Sequence, residues 1–122
     1  PLIYKQIYES REFYDNIKTV ITVHNFDEHC IYNRSVYNKL GIDLPEQIKG
    51  DKINCYEAAA PFADLIISLD SPSVNNTKKL LELPLVKANR KKLVSLKVDA
   101  GESPNYDNVS SKINDELTKH FA

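Results

Sequence analysis

Polar and apolar positions along the chain change period several times, and each change marks an element. Leu2, Ile3, Tyr4, Ile7 and Tyr8 form a stripe about two turns long, predicting a helix over Leu2–Ser10. Ile17–Val23, with Val20, Ile21 and Val23, is a β-branched run that predicts a buried strand. The polar stretch Asn25–Asn38 predicts a loop with at most a short helical turn, and Gly41, Pro45 and Gly50 punctuate a second loop. Asn54–Ala63 is Ala-rich and helix-prone, but Pro61 lacks a backbone donor. That helix is therefore expected to kink or stop around Ala60, with Phe62 and Ala63 leading into the next strand. Leu65–Leu69 predicts a second apolar strand, closed by Asp70-Ser71-Pro72. Thr77–Leu83 predicts a helix stopped by Pro84, and Val86–Lys91 a further turn. Leu93–Val98 predicts a third strand, and Val109, Ile113, Leu117 and Phe121 recur at the spacing of an amphipathic helix over Asn108–Phe121.

Three strands separated by helices imply βαβ crossovers and a parallel sheet. The expected fold class is α/β, a partial Rossmann-like unit of about three parallel strands with flanking helices, residues 1–122 forming one partial domain. So small a parallel sheet has two edges, and parallel sheets are normally covered on both faces. Other protein chains of a larger complex are the expected cover. Leu2, Tyr4, Tyr8 and Tyr14 are the expected interface residues, since aromatics with one polar end favour such surfaces.

Composition narrows the function classes. Sixteen basic and seventeen acidic residues leave a net charge of −1, which gives no nucleic-acid signal and no field for an anionic membrane. No run approaches the ~18 apolar residues of a membrane span. Two cysteines are too few for a disulfide framework, so an intracellular, reducing setting is expected, cytoplasm or organelle (plastid or mitochondrion) alike. The chain begins at Pro1 rather than Met, as a processed precursor or a fragment would.

Candidate chemistry is sparse. A strand that delivers polar residues at its carboxyl end is where open α/β sheets place ligands, which singles out His24-Asn25 after the first strand. A structural histidine at a strand end is the preferred reading of His24, and Asn25 is expected to orient the following loop. Glu28, His29 and Cys30 are adjacent in sequence and lack the paired spacing of a zinc site, so no metal is expected. Cys55 reads as a small buried apolar group. Lys87, Arg90, Lys91 and Lys92 could touch a phosphate or an acidic partner, but a solvated helix face is the expected role.

The opening run PLIYKQIYESREFYDNIKTVITVHN resembles one region of bacterial and plastid-type glycogen and starch synthases, where "P-x-Y-x-K…F-Y-x-N-x-K-T-V-x-T-[IV]-H-N" lies in the amino-terminal Rossmann-like domain. Further pieces follow in order. Leu40-Gly41-Ile42-Asp43-Leu44-Pro45 resembles the family's "lgip" turn, and INCYEAAAPFAD at Ile53–Asp64 its "I-x-F-L-K-A-G-x-x-Y-A-D" helix. LIISLDSP at Leu65–Pro72 resembles its strand and "S-P-T-Y-A" turn. Lys92-Leu93-Val94, with Asp99, Pro104 and Asp107, resembles the start and remnants of "K-L-x-G-I-L-N-G-I-D…P…D". The resemblance implies half of a glycosyltransferase-B type domain. It also implies that His24 and Asn25 could face a glucan or sugar.

The departures from that pattern are equally specific. Phe26-Asp27-Glu28-His29-Cys30 replaces an aromatic-Gln-Gly loop, Glu57 reverses the charge of the family's helix lysine, and Ala59 replaces its glycine. Pro61 stands inside the same helix, Ser73-Val74-Asn75 replaces "T-Y-A", and Leu96-Lys97-Val98-Asp99 lacks the Asn-Gly of "N-G-I-D". The family's Lys-x-Gly-Gly loop is not among these residues. Nor is its second Rossmann domain, which supplies the Arg, Lys and Glu that hold the nucleotide sugar. A pyrophosphate leaving group needs cationic clamps or backbone donors. These residues alone are therefore expected to carry no catalytic residue, no cofactor and no independent activity. The preferred expectation is a non-catalytic, structural or accessory subunit of a larger intracellular assembly. The alternatives are a fragment of a split or truncated synthase, contributing the acceptor-side wall for glucosyl transfer from a nucleotide sugar to an α-glucan, or a glucan-binding module.

Overall fold

The computed structural model describes residues 1–11, 16–98 and 105–122. In chain order it contains β1 (Val20–Val23), β2 (Ile31–Asn33), α1 (Arg34–Lys39), β3 (Lys52–Asn54) and α2 (Cys55–Ala59). These are followed by β4 (Leu65–Asp70), α3 (Asn76–Leu81), α4 (Pro84–Ala88), β5 (Leu93–Lys97) and α5 (Tyr106–Phe121). A π-helical turn at Tyr4–Tyr8 and 3₁₀ turns at Glu28–Cys30, Ala60–Phe62 and Arg90–Lys92 complete the path.

The three expected strands form one parallel sheet in the order β1-β4-β5. Ile21 pairs with Ile66, and Ile67 with Val94. The central strand β4 is buried from Leu65 to Ser68, which explains why apolar residues follow one another at Leu65, Ile66 and Ile67 instead of alternating with polar ones. The edge strands carry mixed patterns instead: Thr22 of β1 and Ser95 of β5 are exposed. Ile21, Val23 and Ile66 pack with Ala60, Ala63, Leu80 and Val86 in one core cluster. A second cluster joins Leu2, Tyr37, Ile42, Ile48, Ile53, Ala58 and Leu85. The arrangement is a partial Rossmann-like α/β unit.

Pro61 acts as its chemistry requires. The α-helix α2 ends at Ala59, and Pro61 sits in the first turn of the 3₁₀ segment, where a missing N–H leaves no orphan. Ala63 is already extended and leads into β4. Four expectations need correction. The stretch expected as loop contains β2 and α1, and β2 pairs antiparallel with β3. The opening helix is π-like over Tyr4–Tyr8, with the Glu9 N–H donating to the Tyr4 carbonyl at 2.9 Å. β1 starts at Val20 rather than Ile17, which is 45% exposed, because Thr19 turns to Asp64. Finally, α4 begins at Pro84, whose fixed φ suits a first helical position, rather than after it.

The loop after α1 depends on Gly41. Its φ is 66°, and Ile42 N–H bonds the Tyr37 carbonyl at 3.0 Å while Gly41 N–H bonds that of Asn38 at 3.1 Å. This is a Schellman closure, which favours a residue without Cβ at the left-handed position. Ile42 and Tyr37 are then buried in the same cluster. Arg34 organises the segment beyond, donating from Nε to the Gly50 carbonyl and from Nη2 to the Ile48 carbonyl, both at 2.8 Å.

Candidate functional site

The carboxyl ends of β1, β4 and β5 form one edge, the place where open parallel sheets bind ligands. At the β1 end, His24 and Asn25 are both exposed. Their backbone is held from two sides. Asn76, 1% exposed at the start of α3, donates from Nδ2 to the His24 carbonyl at 3.3 Å and to the Leu69 carbonyl at 2.8 Å. One amide thus clamps the ends of adjacent strands. The Tyr56 hydroxyl donates to the Asn25 carbonyl at 3.0 Å, and the Cys30 thiol approaches the same oxygen at 3.7 Å. Phe26 stacks on Tyr56 with centroids 6.1 Å apart and planes 25° apart. Burial, with Cys30 close by, pushes the Tyr56 phenol well above its usual range.

At the ends of β4 and β5 lies a cavity of about 620 Å³, lined among others by Asp70, Pro72, Thr77, Ser95, Lys97 and Lys112. Asp70 is its centre. Its Oδ1 accepts the Thr77 N–H at 2.9 Å, and its Oδ2 accepts the hydroxyls of Thr77 and Ser95. Burial pushes this carboxyl up, but the hydrogen bonds from Ser95 and Thr77 outweigh it and hold it below the usual carboxylate range. Lys112 reaches across from α5 to the Lys97 carbonyl at 2.6 Å, which fixes α5 against the β5 end. With both carboxylate oxygens already engaged, Asp70 is placed to bind and orient rather than to move a proton. Hydroxyls, ammonium groups and a carboxylate around one hollow suit a polyhydroxylated ligand.

The other residues singled out in the sequence scatter. Leu2, expected at an interface, is buried in the chain's own core. Tyr4 is half-buried, Tyr8 is exposed with the Arg11 guanidinium 4.9 Å from its ring centroid, and Tyr14 lies outside the described residues, as do Asp99 and Pro104. Glu28 and His29 are exposed while Cys30 is buried, and among the described residues no three His, Cys, Asp or Glu side chains converge on a metal position. Lys87, Arg90 and Lys91 are exposed, and Lys92 donates to the Pro61 carbonyl at 3.0 Å. Glu57, the charge reversal, has a structural use: its Oε1 accepts the Leu85 N–H at 3.4 Å in the first turn of α4. Sequence reasoning treated Asp70 only as a strand terminator and did not single out Thr77, Ser95 or Lys112. The sequence carried no signal for this group, because its residues come from β4, α3, β5 and α5 and meet only through the order of the strands. Among the described residues no helix is long and apolar enough to cross a membrane.

The family profile described as the starch synthase catalytic domain matches residues 1–79. A glycogen synthase of Chlorobium limicola is 38% identical over 72 residues, covering 54% of this chain and 14% of that protein. One of Clostridioides difficile is 37% identical over 83 residues, covering 62% and 17%. One of Chlorobium luteolum is 40% identical over 72 residues, covering 54% and 14%. The aligned part thus spans less than a fifth of each relative's own length. No solved structure matches the chain.

Proposed function

Because the chain belongs to the starch synthase catalytic domain family, we propose that residues 1–122 supply part of the amino-terminal Rossmann-like half of a glycogen or starch synthase-type glucosyltransferase. In this reading His24 and Asn25 present their side chains to a sugar at the β1 end, and the Asp70 hollow extends that wall across β4 and β5. The nucleotide sugar is held elsewhere, by cationic groups these residues do not contain, and an α-glucan accepts the glucose. The observation that carries the reading is the family match over residues 1–79, which takes in β1, His24-Asn25, α2, β4 and Asp70. It favours the synthase-fragment alternative over the accessory subunit preferred from sequence.

The test is transfer of labelled glucose from ADP- or UDP-glucose to glycogen by the whole protein that carries these residues, supplemented with a nucleotide-binding half if that is a separate chain. His24→Ala should lower the rate about tenfold or more, the size of one lost transition-state hydrogen bond. Turnover indifferent to His24→Ala, or none in any combination, would reject this reading. The non-catalytic subunit would then stand. One observation speaks for that second reading: where the family has an aromatic-Gln-Gly loop, Asp27 turns back to accept the His29 N–H at 2.9 Å.

A further inference from the structure

Cys30 and Cys55 are the two cysteines of the chain; both are free, Cys30 buried and Cys55 half-buried. They flank the same end of the β2–β3 ladder. Ile31 pairs with Asn54, Tyr32 with Ile53 and Asn33 with Lys52; continuing that register by one step sets Cys30, at the end of a 3₁₀ turn, opposite Cys55, at the start of α2. Directly opposed residues of an antiparallel pair have Cα atoms about 4.5–5.5 Å apart. A disulfide spans Cα separations of about 4.4–6.8 Å. The electrostatics agree with this proximity: burial first, then the neighbouring Cys30, pushes the Cys55 thiol up to about 11. The Cys30 thiol also lies against the turn at the β1 end, facing the Asn25 carbonyl at 3.7 Å beside the Tyr56 hydroxyl.

We infer that Cys30 and Cys55 are an oxidisable dithiol that closes to an intramolecular disulfide across the end of the β2–β3 ladder. Closure takes one of two donors from the Asn25 carbonyl and leaves Tyr56 alone to hold the turn that follows β1. The oxidant is a small-molecule disulfide of the glutathione class. The Cys55 thiolate, on the more exposed side, attacks one oxidant sulfur and expels a thiolate. The Cys30 thiolate then attacks the Cys55 sulfur of the mixed disulfide and expels the second. One S–S bond breaks and one forms. Two electrons pass to the oxidant, and the two thiol protons end on the released thiols. Chemistry of this pair is independent of any glucosyl transfer, so it stands or falls apart from the proposed function.

The experiment treats the reduced, purified protein with oxidised glutathione at several pH values and maps thiols by alkylation and peptide mass. The expected product is a monomer lighter by two hydrogens, with both cysteines protected and a Cys30–Cys55 peptide pair. Its rate should climb about tenfold per pH unit between neutrality and pH 9, following the Cys55 thiolate fraction. The oxidised form should melt several degrees higher, as a cross-link across a long loop predicts. Cys30→Ala should stop at a glutathione adduct on Cys55. A stable Cys55 adduct in the wild-type protein, with Cys30 still alkylatable after unfolding, or only disulfide-linked dimers, would overturn the inference; the wild-type map decides even if the variant does not fold.

Discussion

Thr19 and Asp64 hold each other reciprocally at the amino ends of β1 and β4. The Thr19 N–H donates to Asp64 Oδ2 at 2.7 Å and its hydroxyl to the same oxygen at 3.1 Å, while the Asp64 N–H donates to the Thr19 carbonyl at 2.9 Å. The pair begins the ladder where side-chain and backbone bonds take over from one another, which is why Ile17 is left outside it.

Acid sensitivity follows from this pair. Burial pushes the Asp64 carboxyl up, but the Thr19 hydrogen bonds with Lys5 and Lys18 nearby outweigh it and depress its pKa. Asp70 is depressed in the same sense. A carboxylate with a lowered folded pKa adds stability above its unfolded pKa of about 3.9 and loses it as pH falls through the folded value. Urea melts should therefore show stability constant from pH 7 to about 5 and falling below about 4. Asp64→Asn should flatten that acid limb and lower stability at pH 7.

Gly41→Ala isolates backbone strain. No atom lies within 4 Å of the Cβ it would add, so the whole effect comes from the positive φ. A cost of about 1–2 kcal/mol is expected, with Gly41→Asn losing less. Equal melting temperatures for Ala and Gly would show that the Schellman turn is not retained in solution.

Tyr37→Phe should be neutral or stabilising. The Tyr37 hydroxyl is buried without a partner among the described residues, and burial pushes its pKa up to about 12. Its raised pKa contributes stability below the unfolded value of about 10 that is lost as pH rises toward 12. Tyr37→Phe removes that alkaline loss, and denaturant midpoints at pH 7 and 11 should diverge less in the variant.

Asn76→Ala should cost about 1–3 kcal/mol, since it strips the donors from the carbonyls of His24 and Leu69. Amide exchange in the turn after β1 should accelerate more than exchange in β5. A uniform change would place Asn76 in general packing and not in the clamp.

Much of the fold was legible because period and composition agree. Leu65–Leu69 is apolar except for Ser68 and forms the central strand; the Val109, Ile113, Leu117 and Phe121 stripe is half-buried along one side of α5. The β2–β3 ladder was not legible: each strand has three residues, and Ile31, Tyr32 and Asn33 are all exposed, so no alternation records a buried face. The helix over Asn54–Ala63 was legible from its alanines; the structure adds that Asn54 caps it, its Oδ1 accepting the Tyr56 N–H at 2.9 Å. His24-Asn25 could be placed because a strand precedes it. The Asp70 hollow could not, since Asp70 and Ser95 meet only through strand order. The π turn leaves no mark of its own, because its apolar stripe serves an α-helix equally well.

The crossover from β1 to β4 contains its own small ladder and a glycine-closed helix before the strands meet, with Thr19 and Asp64 separated by 45 positions. β4 and β5 join over a shorter span. Contacts between distant parts of a chain slow folding more than they weaken the folded state. On this ground β4 and β5 are expected to register first, with β1 docking once the crossover is organised. Until that last event, His24 and Asp70 do not share an edge. Refolding should recover the secondary-structure signal before any ligand is bound, and slowing variants should cluster in the crossover rather than around the hollow itself.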